Sequence, residues 1–316
     1  MFNMNKYNLY SKNSESMEVH EFGMYNSGII CYYNSSLQCL FSCQSFVDYA
    51  VTGDYDNDML SAIKLYLSKM NKSSNSKPSY DLGLLNLFMS KIKNKFKEST
   101  LYSEFGYNQE DCCEFITILL DVINDKFVYN LFKHTYKCKL FCLSCRKSKE
   151  ISDDDGYIFS VNPRIIESNT INSKNVIDSQ ENNLTRYIRN NYSKCSGAKC
   201  PACDSTSIIK TSQLTNVPSI IIISLDKYDN KYMYSYPGTL EFINKVEHKN
   251  KHIFKLVSTI HHNGNKNFGH YYSKCLREDG WFMLNDLSIS NNVSTAPESN
   301  VYVIAYHYSD TVDYFS

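Results

Sequence analysis

Cys31, in the run NSGIICYYNSSLQCLFSC, follows a glycine and two isoleucines and precedes a pattern with Leu37, Leu40 and Phe41 at helical i, i+3, i+4 spacing. A thiol faced by the orphan N–H groups of a helix start is expected to have a pKa lowered towards neutrality, and a nearby imidazole lowers it further. The thiolate so formed is a nucleophile for acyl transfer. The candidate imidazole is His270, in FGHYYSKCLREDGWFMLND. This stretch reads as a hairpin, with a strand from His270 to Leu276, a turn over Glu278, Asp279 and Gly280, and a strand from Trp281 to Asn285. His270 and Asn285 then share the open end. A two-residue turn sets Asn285 opposite Tyr272 or Lys274, on the face of His270, whereas a one-residue slip presents Asp286 instead; both stay open as the group that orients His270. Against this stand two plainer readings, a Cys31 that is a small buried hydrophobe and a His270 that is an exposed hairpin residue.

A second constellation has the chemistry of a metal site. Cys142 and Cys145 form one C-x-x-C, CLSC, and Cys200 and Cys203 form another, CPAC, with the long stretch 146–199 between the pairs. Each knuckle offers two thiolates from one tight turn, and four thiolates close the tetrahedral sphere of a structural Zn2+. The gap is longer than in compact zinc ribbons, so the reading needs an excursion inserted between two strand tips. Cys138 and Cys195 lie near the knuckles as spare ligands, and four unligated thiols are the alternative.

These groups need elements to hold them. The chain as far as about Val128 reads as mainly helical: SSLQCLFSC, with Asn34 or Ser35 near its start and Cys39 and Cys43 on it, then LGLLNLFMSKIKNKF, then NQEDCCEFITILLDVINDKF, where Phe115, Ile118, Leu119 and Val122 line one face. NKSSNSKPSYD is a loop by composition. From Tyr136 onward short strands take over: YKCKLF, GYIFSV, SIIIISLDKY, FKLVSTIHH, HYYSKCL, WFMLND and VYVIAYHY. The Asn- and Ser-rich segment from Glu167 to Lys194 reads as a flexible connection with one short helix at LTRYIRNNY. A helical lobe followed by an antiparallel, strand-rich lobe is an α+β plan, with a cleft between lobes as the natural place for a site.

Composition narrows the partners. At 316 residues the chain buries a sizeable core without disulfides, and its formal net charge of +0 gives no global attraction to nucleic acid or an anionic membrane. The longest aliphatic run, Ile220 to Leu225, is far too short for a bilayer of roughly 30 Å. The segment 1–20 shows no apolar signal core. Twelve cysteines in a chain of this length point to metal or catalytic use in an intracellular protein, cytoplasmic or nuclear.

Together the motifs resemble the ubiquitin-specific proteases, papain-like cysteine deubiquitinases. GMYNSGIICYYNSSLQ is similar to the family's cysteine box, QEDCCEF to its Q-x-D-x-x-E-F, and VPSIIIISLDKY to the strand before its blocking loops; HNG, GHY and WFMLND match its histidine box. The resemblance runs in order from Gly23 to about Tyr308. It implies a helical thumb over about 21–130 and an antiparallel β palm with zinc-bearing β fingers over about 131–312, after a polar leader over 1–20. It also implies Cys31 as nucleophile, His270 as general base, Asn285 as the group that orients it with Asp286 as the alternative, and Asn26 as the side-chain donor of an oxyanion hole. The Cys31 N–H is a second donor. Such a donor is typically worth ~3 kcal/mol.

The implied substrate is ubiquitin, whose tail Arg-Leu-Arg-Gly-Gly calls for carboxylates beside a narrow channel. Asp111 and Glu114, three apart on one helical face, match the arginine-binding positions, and Gln109 and Tyr271 match residues of the tail groove. A solvated helix face is the plainer reading of the two carboxylates. The four knuckle cysteines match the zinc site of the fingers, and no organic cofactor is implied. Two departures stand out: Ile29 and Ile30 replace Asn-Thr or Ala-Thr before the cysteine, and Ser224, Leu225, Asp226, Lys227 and Tyr228 replace His-Leu-Lys-Arg-Phe. A catalytically silent ubiquitin binder and a protease for a ubiquitin-like modifier are the alternatives. The chain has little room for accessory domains, so targeting falls to its own surface or a partner.

Overall fold

The computed structural model describes residues 3–4, 16–72, 81–95, 105, 108–163, 182–195, 197–226, 234–243, 250–265 and 268–313. A two-residue strand, β1 (Asn3–Met4), is followed by six helices: α1 (Cys31–Leu40), α2 (Gln44–Thr52), α3 (Asp58–Lys72), α4 (Gly83–Lys95), α5 (Cys112–Ile123) and α6 (Lys126–Phe132). Asp111 and Asp125 cap α5 and α6, each side chain accepting two first-turn N–H groups, and Asn124 ends α5 in the left-handed conformation at φ 48°. The helices close over an aromatic centre where Phe115 meets Tyr32, Tyr33 and Phe88 edge-on, at centroid distances of 5.8, 5.3 and 4.9 Å. Each such pair adds about 0.5–1.5 kcal/mol beyond its burial.

The rest is mostly sheet: β2 (His134–Cys142), β3 (Ser148–Glu150), β4 (Asp154–Gly156), β5 (Ile158–Val161), helix α7 (Asn183–Arg189), β6 (Asn190–Lys194), β7 (Ile208–Val217), β8 (Ile220–Leu225), β9 (Thr239–Ile243), β10 (Asn250–Gly264), β11 (Gly269–Arg277), β12 (Gly280–Asn285), β13 (Ser288–Ser290) and β14 (Val301–Asp313). One sheet has the order β1-β7-β2-β3, with β4 on β2 and β6 on β7; the other has the order β13-β12-β11-β10-β14-β8-β5, with β9 on β10. The unbroken apolar run of β8 follows from its place between β14 and β5, buried on both faces. Helix α1 packs on β10, β11 and β12, so the thiol-bearing helix lies in the seam between the helical lobe and the larger sheet. Among the described residues no helix is long and apolar enough to cross a membrane.

Several local expectations are corrected. Helix α1 starts at Cys31 itself, so Asn34 and Ser35 lie inside it rather than at its cap. It stops at Leu40, and Cys43 becomes the N-cap residue of α2. Strand β5 joins β8 in parallel, departing from an all-antiparallel palm. Asn190–Lys194, expected in a flexible connection, is strand β6 paired antiparallel with β7. Most of the NKSSNSKPSYD loop, residues 164–181 of the connection, Lys227 and Tyr228 lie outside the described residues.

Two largely buried histidines couple this packing to pH. His307, on β14, accepts the Ser45 N–H at 3.2 Å through Nε2 and so satisfies a first-turn donor of α2; burial lowers its pKa from 6.5 to about 4. His134 stacks on Phe159 at 3.8 Å, and its pKa falls to about 4, chiefly by burial, with Lys133 adding to the drop and Asp155 opposing it. Each shift from 6.5 to about 4 corresponds to roughly 3 kcal/mol. Below pH 6.5 the unfolded chain takes up protons that the folded chain refuses, so this stability is present above that pH and lost as pH falls towards 4. Urea unfolding followed from about pH 7.5 to 4.5 is expected to show a steep loss below the ordinary histidine pKa, and a shallower one in His307→Gln. Parallel profiles for the two proteins would refute the assignment.

Candidate active site

The segment before α1 is shaped by its own polar side chains. Asn26 Oδ1 accepts the N–H groups of Gly28 at 2.8 Å and Ile30 at 3.1 Å, and Gly28 turns the chain with φ 108°. Two residues one turn apart on α1, Asn34 and Gln38, hold the preceding strand-like segment: Asn34 Nδ2 donates to Tyr25 O at 3.1 Å, and Gln38 Nε2 to Phe22 O at 2.7 Å. Gln38 Oε1 in turn accepts the buried Arg277 guanidinium at 2.7 Å. The first helical residue, Cys31, is therefore fixed from both sides and only 1% exposed.

The hairpin expected around His270 is present, with Arg277 paired to Gly280 across a two-residue turn, so that Gly280 belongs to the second strand rather than the turn. The last pair is Ser273 with Leu284, which sets Asn285 opposite Tyr272, one of the two expected registers. His270 Nε2 lies 2.6 Å from Asn285 Oδ1 and 3.8 Å from Asp286 Oδ2. Because a carbonyl oxygen only accepts, Nε2 carries the proton and Nδ1 is left as the basic nitrogen. The backbone N–H of the next residue, Tyr271, is turned to the Cys31 thiol.

Asp286 ties these parts together. Its backbone, left-handed at φ 52°, offers a carbonyl that accepts Met24 N–H at 2.8 Å. Its carboxylate accepts Asn26 Nδ2 at 2.9 Å through Oδ2 and Asn34 Nδ2 at 2.8 Å through Oδ1. The thiol differs from the sequence expectation. Burial raises the Cys31 pKa above its ordinary value and the Asp286 charge adds to this, while the N–H groups of Tyr271, Tyr32 and Cys31 lower it without prevailing.

Alongside, Gln109 Oε1 accepts Gly269 N–H at 3.1 Å, joining the segment before α5 to the start of β11. Asp111 is the cap of α5, not a residue on its face: Oδ1 accepts Cys113 N–H at 2.7 Å and Glu114 N–H at 3.1 Å, and Oδ2 accepts the hydroxyls of Tyr302 at 2.7 Å and Tyr271 at 3.4 Å. Glu114 stays exposed on α5, its carboxyl held above the usual range by partial desolvation and by the Glu110 and Asp111 charges. The structure thus links Cys31, Asn26, His270, Asn285, Asp286, Tyr271, Gln109 and Asp111 in one contiguous site, with Glu114 at its edge. Sequence reasoning placed Asn34 only near the start of α1 and left Gln38, Arg277 and Tyr302 without roles. Asn34 and Gln38, the two amide side chains of α1 and four apart on one helical face, were the available signal.

At the far end of the smaller sheet the four knuckle thiols converge. Their sulfurs lie within 4.8 Å of one another, with Cys142 to Cys203 and Cys145 to Cys200 each 3.7 Å. A tetrahedron with metal–sulfur bonds of about 2.3 Å has edges of about 3.8 Å, close to these two separations, so the cluster could hold a metal ion. The two turns are alike: Arg146 N–H returns to Cys142 O and Asp204 N–H to Cys200 O, with φ 59° and 54° at Arg146 and Asp204. The N–H groups of Cys145 and Ser144 are the chief reason that the Cys142 thiol falls to about 6. Cys195 packs beside the cluster, whereas Cys138 points to Ser212 Oγ at 3.5 Å and takes no part.

The family model described as ubiquitin carboxyl-terminal hydrolase matches residues 22–306. Among curated relatives, ubiquitin carboxyl-terminal hydrolase 11 of Schizosaccharomyces pombe is 24% identical over 85% of this chain and 79% of its own length. Probable ubiquitin carboxyl-terminal hydrolase 8 of the same yeast is 23% identical over 64% of this chain and 46% of its own length. Ubiquitin carboxyl-terminal hydrolase 8 of Saccharomyces cerevisiae is 20% identical over 85% and 66%. The chain therefore spans about half of the first-matched fission-yeast relative. In fold it is similar to the SAGA Ubp8/Sgf11/Sus1/Sgf73 DUB module bound to ubiquitin aldehyde, with a TM-score of 0.65 and 19% identity over 95% of this chain and 72% of that one. A match that runs from the residue before Gly23 to Tyr306 takes in the cysteine segment, the histidine hairpin and the four-thiol cluster alike, and the chain belongs to the ubiquitin carboxyl-terminal hydrolase family.

Proposed function

We propose that this chain is a thiol-dependent deubiquitinase that hydrolyses the peptide or isopeptide bond after the terminal glycine of ubiquitin, with one catalytic domain over about 21–312. The observation that carries the reading is the meeting of the buried Cys31 thiol with the residue after His270, while His270 Nε2 is held by Asn285. His270 Nδ1, left basic by that bond, takes the thiol proton as Cys31 Sγ attacks the glycine carbonyl carbon. The amine leaves with a proton from the imidazolium, and water activated by His270 releases the thioester. Asn26 gives one N–H to Asp286, which leaves its other amide hydrogen for the developing oxyanion beside the Cys31 N–H. Glu114, Asp111, Gln109 and Tyr271 form the side that receives the tail. A reducing compartment, cytoplasmic or nuclear, suits twelve cysteines that are all unpaired.

The buried, raised thiol also favours a silent ubiquitin binder, and one experiment separates the two. A ubiquitin probe with a C-terminal electrophile is expected to form an adduct at Cys31, whereas Cys31→Ala loses the adduct and all turnover yet still binds ubiquitin. Binding without adduct in the unaltered protein would establish the silent reading, and a panel of modifier substrates separates ubiquitin from its relatives.

The charge relation between Asp286 and Cys31 gives a second test. Site-resolved alkylation of Cys31 in the free protein is expected to reach half its plateau rate above the pH typical of a free cysteine. In Asp286→Asn the midpoint moves lower, because a charge that disfavours the thiolate is gone. An unmoved midpoint would refute the coupling.

The four-cysteine cluster is proposed to hold one structural Zn2+, supplied by Cys142, Cys145, Cys200 and Cys203. Such an ion joins the turn after β2 to the turn before β7 and contributes folding energy there. Protein purified without chelators is expected to contain about one zinc per chain. Cys200→Ala is expected to lose it together with thermal stability, and equal zinc content in the two proteins would refute the site.

A further inference from the structure

His262 takes no part in the proposed mechanism, yet its ring lies against both sequence neighbours of His270. The register pairs His262 on β10 with Tyr271 on β11, and the two rings meet at 4.4 Å between centroids, tilted by 36°. The same imidazole reaches Gly269, where a Cβ would overlap Nε2 and press on Asn263 O at 2.8 Å. Gly269 and Tyr271 share one face of β11 and His270 points to the other. One side chain of the next strand therefore braces the backbone on either side of the proposed base. His262 is itself fixed, its N–H donating to Asn300 O at 2.8 Å and its ring standing 6.3 Å from that of Tyr302 on β14. Burial lowers its pKa from 6.5, with the Asp111 charge opposing the drop and His270 adding to it. At neutral pH the ring thus packs on Tyr271 as an uncharged face.

We propose that His262 is a positioning residue: it sets Tyr271 so that its N–H meets the Cys31 sulfur, and it holds the strand that carries His270. Tyr271 has other attachments, but they are looser. Its hydroxyl reaches Asp111 Oδ2 at 3.4 Å, long for an O–H donor, and the Tyr302 ring is 6.1 Å away. The His262 face is the closer hold of the two rings. What depends on it is the N–H of Tyr271, foremost among the groups that lower the Cys31 pKa against burial. A Tyr271 that is free to shift gives up part of that support, and the thiol becomes harder still to ionise. The consequence for turnover rests on the proposed function; the consequence for the thiol does not.

Site-resolved alkylation of Cys31 in the free protein reads the thiol directly. In His262→Ala, and in His262→Gln, which keeps much of the volume but not the ring, the pH of half-plateau rate is expected to move up, because an N–H that favours the thiolate is no longer held in place. The sign is opposite to that of Asp286→Asn. It is also opposite to that of unfolding, which returns the midpoint to the value of a free cysteine, so the Gln variant decides where the Ala variant fails to fold. A midpoint that is unmoved or lowered in both variants would overturn the proposal. In ubiquitin-substrate cleavage both variants are expected to lower kcat by roughly 10-fold to 100-fold, the range that a displacement of about 1 Å costs near reacting atoms, with little change in KM. A raised KM at unchanged kcat would assign His262 to substrate binding and overturn the positioning role. A parent protein that cleaves nothing would sink the proposed function, and the thiol titration would then decide this inference alone.

Discussion

One carboxylate holds the site together. Asp286 closes three bonds to the segment that delivers Cys31, one from its backbone and two from its side chain, and its neighbour Asn285 holds His270. Hydrogen bonds to a charged group contribute about 1.5–3 kcal/mol each, so this junction stands well above an ordinary pair of contacts. It also demands an acid. Both side-chain oxygens must accept from amides, and an asparagine would turn a donor towards Asn26 or Asn34. Backbone packing reinforces the tie: a side-chain carbon at Gly23 would lie 2.8 Å from Leu287 O, so the segment can approach the hairpin only as glycine.

The same carboxylate acts against the Cys31 thiolate. It disfavours the Cys31 thiolate, as burial does, while the N–H groups of Tyr271, Tyr32 and Cys31 favour it. The helix start thus supplies the expected stabilisation, but a thiol that is 1% exposed loses more by desolvation than the helix returns. A site built this way keeps its sulfur protonated until a base is close and oriented. On the proposed function, this places the weight on His270 and on the bond to Asn285 that fixes its tautomer.

What was legible in the sequence follows from the range of each signal. The hairpin was readable because a two-residue turn fixes register locally, so the face shared by His270 and Asn285 followed from counting. The knuckles were readable because C-x-x-C is a local chelate; the long stretch between the pairs is taken up in part by β3 to β6 and α7, as an inserted excursion required. The start of α1 was misplaced because Ile30 occupies the cap position without a side-chain bond, while the residue types that favour a cap, Asn34 and Ser35, stand farther along, inside the helix. The parallel joining of β5 to β8 left no mark in so short a strand. The roles of Asn34, Gln38 and Arg277 depend on partners at the opposite end of the chain or on a bent segment without periodicity, which no local pattern encodes.

Asp111 shows how a spacing of three can mislead about geometry. A spacing of three suggested two carboxylates side by side on a helix face, but the helix begins one residue later, and capping turns Asp111 inward. Its carboxylate is committed on both oxygens, one to two N–H groups and the other to two tyrosine hydroxyls. An arginine side chain arriving from a substrate tail would have to displace those hydroxyls, at a desolvation cost, whereas Glu114 faces solvent and keeps its lone pairs for a newcomer. On the proposed reading the first electrostatic contact with the tail therefore falls to Glu114. Asp111 works from behind, setting the position of Tyr271 and through it the N–H that meets Cys31. This carboxylate is thus a strut before it is a binding group.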